Sequence, residues 1–129
     1  ENYIPENYPQ NSVAYTGTHD NDTTMGLLQS EVGEGSTRTQ EQIDAELRTI
    51  LNYTGTDGSE LNWDYISAVS HSASNLAIYP LQDVLGLGGE ARMNTPGIAE
   101  GNWSWRFQWR DLAPDILERL GAITISAGR

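Results

Sequence analysis

The residues best suited to chemistry gather in two stretches. The first, His19-Asp20-Asn21-Asp22, sets an imidazole beside two carboxylates in a run of small polar residues. Such a loop could hold a cation, because Asp20, Asp22, Thr24 and Glu31 fall at positions one, three, five and twelve of an EF-hand-like loop. The match fails at Met25, which stands where that loop needs glycine, and in the strand-like residues that precede it where a helix is required. No metal is assigned. Taken alone, His19-Asp20 reads as a solvated loop pair.

The second stretch is Arg92-Met93-Asn94-Thr95-Pro96-Gly97. An uncharged amide such as that of Asn94 can meet the hydroxyls of a ligand, and it is equally a turn former. Upstream, Gln82 and Asp83 could line a site or brace one, and Arg92 could pair with Glu90 or Asp83 as scaffold. Downstream, Trp103 and Trp105 could stack on the face of a ligand, but buried packing is the commoner fate of Trp. His71 lies off the apolar stripe of its segment and reads as a surface residue.

Both stretches must be held by regular elements. Ser12 to Thr16 is short, β-branched and aromatic, and is followed by Gly17, so it predicts a buried strand that delivers the polar loop Thr18 to Thr24. Thr39-Gln40-Glu41-Gln42 fits a capping box, and Ile43, Leu47, Ile50 and Leu51 follow at helical spacing to an end near Asn52. A second helix starts at Asn62, carries Trp63, Ile66, Val69 and Ala73 on one stripe and stops at Asn75. The apolar run Leu76 to Leu81 predicts the next strand, and Gly86 to Gly101 a long glycine-containing loop. A last helix spans Pro114 to Leu120 and closes at Gly121, with Ile123 to Ile125 in the tail. Strand, loop, helices, strand, loop, helix is the order of βα units, and no internal domain boundary is evident.

Bulk composition narrows the partners. Eighteen Asp and Glu stand against seven Arg and no Lys, a formal net charge of -11. Nucleic acids and anionic membranes are recognised through basic patches, so neither is expected, while a neutral ligand meets no repulsion. With no cysteine, disulfides and thiolate metal sites are excluded and the redox compartment is left open. No apolar run approaches the roughly 20 residues needed to span a bilayer. The chain has no initiator Met and starts without a signal peptide's basic and apolar regions, which suggests that it begins inside a longer protein.

Two segments are more specific than composition. Val13-Ala14-Tyr15-Thr16-Gly17-Thr18-His19-Asp20-Asn21-Asp22-Thr23 resembles the fourth signature region of the amylomaltases, the 4-α-glucanotransferases of glycoside hydrolase family 77. Gln82 to Gly97, with Gly101-Asn102-Trp103-Ser104-Trp105-Arg106, resembles that family's C-terminal signature. The resemblance covers most of the chain and is weakest across Glu31 to Ser59. Ala127-Gly128-Arg129 is similar to the family's own terminus.

The resemblance implies an α/β fold: residues 1–129 would be the C-terminal part, about the last two βα units, of a (β/α)8 TIM barrel truncated on its N-terminal side. Ser12 to Thr16 and Ala77 to Gln82 would be the seventh and eighth strands, which puts both signature loops at the catalytic face. It also implies retaining transfer of an α-1,4-glucan segment to the 4-hydroxyl of another glucan. That chemistry needs a nucleophile and an acid/base roughly 5 Å apart; the family places both on earlier strands. By the same resemblance Asp20 matches the third, transition-state carboxylate, and His19 and Asn94 match residues that bind the sugar. No cofactor is implied, and the location would be cytoplasmic. The isolated chain would be inactive and poorly soluble without the remainder of the barrel, since two βα units leave strand edges unpaired. The competing reading is a non-catalytic glucan-binding or interaction domain derived from the barrel.

Overall fold

The computed structural model describes residues 4–29 and 39–129. Two short strands, β1 (Val13–Tyr15) and β2 (Leu76–Ile78), lie parallel with Ala14 opposite Ala77. Parallel neighbours need a crossover, and among the described residues three helices lie between them: α1 (Thr24–Gln29), α2 (Gln40–Thr54) and α3 (Leu61–Ser70). After β2 come α4 (Leu81–Val84) and α5 (Pro114–Ser126), with single 3-10 turns at Pro5–Asn7, Gly89–Ala91 and Trp109–Asp111. This is the mixed α/β arrangement of a partial barrel. No helix among the described residues is long and apolar enough to cross a membrane.

The core forms where α3 meets α4 and α5. Trp63, Ile66 and Val84 are buried there, and Leu81, Ile116, Leu120 and Ile123 pack against them. The helix start at Thr39 is as the sequence predicts. Its hydroxyl accepts from the Gln42 amide, and the Gln42 side chain accepts from the Thr39 amide. Helix α2 runs two residues past Asn52 and ends where Gly55 adopts φ 69°.

Four expectations are corrected. The strand Ser12 to Thr16 is not buried throughout: Ala14 is, whereas Val13, Tyr15, Leu76 and Ile78 form an exposed cross-strand patch. Helix α3 stops at Ser70, so Ala73 lies beyond it and is exposed. Its last turn is serine-rich, and small hydroxyls compete for backbone partners. Ser70 and Ser72 bond back to the carbonyls of Ile66 and Val69, and the Arg129 guanidinium takes those of Ser70, Ser72 and Ser74. Strand β2 ends at Ile78 because Pro80 follows and cannot donate to a ladder; Leu81 and Gln82 start α4 instead. Finally, α5 passes through Gly121 and takes in Ile123 to Ile125, ending before Gly128, which has φ 72°.

Candidate functional site

The loop between β1 and α1 is built to expose its middle. Asn21 closes it locally, its side-chain oxygen accepting from both the amide and the hydroxyl of Thr18. Thr23 caps α1, its hydroxyl accepting from the Gly26 amide at 2.9 Å. Gly26 is required there: a β-carbon would collide with the Asp22 carboxylate and sit 2.8 Å from the Thr23 hydroxyl. His19 and Asp20 are left at the exposed tip.

The segment after β2 meets this tip. The Asn94 side chain donates to Asp20 Oδ1 at 2.7 Å, and the Asn94 amide donates to the His19 carbonyl at 3.1 Å. His19 Nε2 lies 3.4 Å from Asp20 Oδ2. Arg92 ties the two segments, donating to the carbonyls of Asp20 (2.7 Å) and Asn94 (2.8 Å). It does not pair with Glu90 or Asp83 as the sequence suggested. Glu90 instead accepts from the Gly88 amide, and Asp83 is engaged elsewhere. Asn94 is thus brought to His19 and Asp20 from more than seventy residues away in the chain. Each carboxylate oxygen of Asp20 keeps accepting capacity beyond these contacts, and the group faces solvent.

Beside the tip opens a cleft of about 190 Å³ lined by Thr18, His19, Asp22, Gln82, Arg92 and Trp103, among others. Trp103 corrects the expectation of burial. It is 54% exposed, its ring centroid 5.0 Å from that of His19. Its backbone has φ 61°, a left-handed conformation rarely adopted by a bulky residue. The amide of Trp103 donates to the Met93 carbonyl at 2.7 Å, and Arg106 holds its carbonyl at 3.0 Å. Trp105 is half-buried and stacks on Phe107.

Gln82 and Asp83 sit in α4 instead of at a strand end. Gln82 donates to the Ala91 carbonyl, and Asp83, 2% exposed, accepts from Thr16 Oγ1 and the Thr24 amide. Both line the cleft and brace it. The bonds made by Asp83 and Arg92 are what sequence reasoning missed. Two chargeable residues embedded in an uninterrupted signature were the available signal. His71 is on the surface as expected, with Nδ1 2.8 Å from the Ser67 carbonyl and Nε2 3.2 Å from the Ser126 hydroxyl.

Of the EF-hand-like positions, Thr24 begins α1, Asp22 Oδ1 accepts from the Thr23 amide, and Glu31 lies outside the described residues. Among the described residues no three His, Cys, Asp or Glu side chains cluster so as to hold a metal ion.

Parallel strands joined through helices, with polar side chains converging where the chain leaves the strands' carboxyl ends, define the site of an α/β barrel protein. A family model described as 4-alpha-glucanotransferase matches residues 1–112, and the chain belongs to that family, glycoside hydrolase family 77. It is 42% identical to a 4-alpha-glucanotransferase of Synechocystis, over 98% of this chain and 23% of the relative. It is 39% identical to one of Thermus thermophilus, over 98% and 25%. The amylomaltase from Streptococcus agalactiae in complex with acarbose superposes with a TM-score of 0.80 at 31% identity, covering 98% of this chain and 23% of that one. The chain therefore spans about a quarter of the length of the relatives it matches.

Proposed function

We propose that residues 1–129 are the C-terminal portion of the barrel of a 4-α-glucanotransferase, which transfers a segment of an α-1,4-glucan to the 4-hydroxyl of another glucan or of glucose with retention. Asp20 is its transition-state carboxylate. It holds hydroxyls of the transferred sugar and tightens as the ring distorts toward the oxocarbenium geometry, so its binding lowers the barrier. His19 and Asn94 hold the same sugar and keep Asp20 in place. The nucleophile and acid/base come from the remainder of the barrel, with which this chain must assemble. No cofactor enters, and the acidic surface suits an uncharged ligand.

The observation that carries this reading is Asp20 at the exposed loop tip, bonded to the Asn94 side chain and beside His19, which lines the cleft, on a chain of this family. A cytoplasmic location goes with it by family resemblance, although a relative from Solanum tuberosum is named as chloroplastic/amyloplastic.

Maltotriose provides the test. The isolated chain is expected to release neither glucose nor longer oligomers, whereas the complete barrel protein releases both. Asp20→Ala in the complete protein is expected to lose activity on the order of 10²- to 10³-fold, as when a preorganised transition-state contact is removed. Turnover by the isolated chain would overturn its dependence on the rest of the barrel. A fully active Asp20→Ala protein would overturn the catalytic assignment and favour a glucan-binding domain.

A further inference from the structure

The loop that carries Asp20 leaves β1 at Thr16 and enters α1 at Thr24, four residues before Asp20 and four after it. One side chain holds both ends. Asp83 accepts the Thr16 hydroxyl on Oδ2 at 2.6 Å and the Thr24 amide on Oδ1 at 2.8 Å. The group is buried, and its own backbone carbonyl accepts from the buried side chain of Asn62 at 2.8 Å, which fixes the segment it stands on.

A buried carboxylate is costly to desolvate unless it is hydrogen-bonded, and an apolar residue would fill the same space without that cost. What a carboxylate adds is two acceptors at a fixed separation. Here they span the feet of one loop, and a backbone amide and a hydroxyl are strong partners for an anion. The tip is held from the other side by Arg92 and Asn94. With its feet set by Asp83, the loop has little freedom left to move Asp20 relative to the cleft.

We propose that Asp83 is a positioning residue of the glucanotransferase reaction: by bridging Thr16 and Thr24 it sets where the Asp20 carboxylate meets the sugar. The inference rests on the role of Asp20 proposed above. It predicts that Asp83 acts through the loop tip that carries His19 and Asp20, because its carboxylate is taken up by the loop's feet. A shift of about 1 Å in a reacting group can cost on the order of 100-fold in rate.

The experiment is a double-mutant cycle in the complete barrel protein, with kcat normalised to folded, active-site-titrated enzyme. Asp83→Ala is expected to lower kcat on the order of 10- to 100-fold, with KM for maltotriose changed less than about threefold. In an Asp20→Ala background the same substitution is expected to cost much less, the remainder being the displacement of His19 on the same loop. Asp83→Asn, which can still accept from the Thr24 amide and bond the Thr16 hydroxyl in reversed sense, is expected to restore most of the rate. If Asp83→Ala does not fold, Thr16→Val removes one of the two bonds and is expected to reproduce the kcat loss in smaller measure. A full-rate Asp83→Ala enzyme alongside an inactive Asp20→Ala one would overturn the positioning role and leave Asp20 standing. So would losses that multiply in the double mutant, since they would mark a general structural effect. An active Asp20→Ala enzyme would overturn both assignments.

Discussion

At the scale of single residues, the site is held by a few long-range hydrogen bonds, and those made by side chains can be removed without touching the backbone. Asn94 shows this best. Its amide bond to the His19 carbonyl belongs to the backbone, while its side chain alone reaches Asp20. Asn94→Ala therefore keeps the contact between the two loops and deletes the bond to the carboxylate. Loosening a reacting group by about 1 Å can cost on the order of 100-fold in rate, so the complete enzyme should lose roughly 10- to 100-fold in kcat. Its melting temperature should stay close to that of the parent. Steady-state kinetics on maltotriose together with a thermal melt would check both. His19, Asp20 and Asn94 stand out in the sequence because they sit inside the two family signatures, and the structure brings them together. The bonds of Asp83 to Thr16 and Thr24 and of Arg92 to Asp20 were not legible there, because these partners lie 59 to 72 positions away and no local pattern announces them.

At the scale of elements, local signals were read well and their ends poorly. The capping box at Thr39 is a four-residue pattern complete in itself, and α2 begins there. Helix α1 escaped notice because it has six residues and its cap, Thr23, lies in what reads as polar loop. The apolar run Leu76 to Leu81 outlasts strand β2 because it includes Pro80, which is apolar in sequence yet cannot extend a ladder. The stop of α5 was misplaced because a glycine ends a helix only when the chain needs positive φ there. Gly128 has it and Gly121, in mid-helix, does not. That misreading has a measurable corollary. A β-carbon at Gly121 would meet nothing within 4 Å, and alanine is favoured over glycine inside a helix by about 1 kcal/mol. Gly121→Ala should raise the denaturation midpoint by roughly 0.4–1 kcal/mol of stability, read from urea melts of parent and variant. A lower midpoint would mean that the glycine serves a contact not visible in this arrangement.

At the scale of the molecule, α5 is fastened to α3 by charge as well as by packing. Arg119 makes a two-pronged contact with Glu60, at 2.6 and 2.8 Å, and its guanidinium lies 4.6 Å from the centre of the Trp63 ring. The bond from Arg119 holds the Glu60 carboxyl below its ordinary value of 4.5. A carboxyl with a depressed folded-state pKa contributes stability that is fully present above its unfolded pKa. That contribution is lost as pH falls through the folded value. The protein should thus lose stability more steeply than a Glu60→Gln variant as pH drops below about 4.5. The difference should shrink in high salt, because the pair is exposed. Chemical melts at several pH values, with and without salt, would show it.

The link from Asp83, Arg92 and Asn94 across to the β1 loop also bears on how such a protein can change. A chimera that imports only residues 17–23 from a distant relative would set foreign loop geometry against anchors tuned to the old one. Exchanging residues 16–24 together with 80–103 would carry both halves of every bond between them. The two loops are, in that sense, a single unit of inheritance written in two separate stretches of the gene.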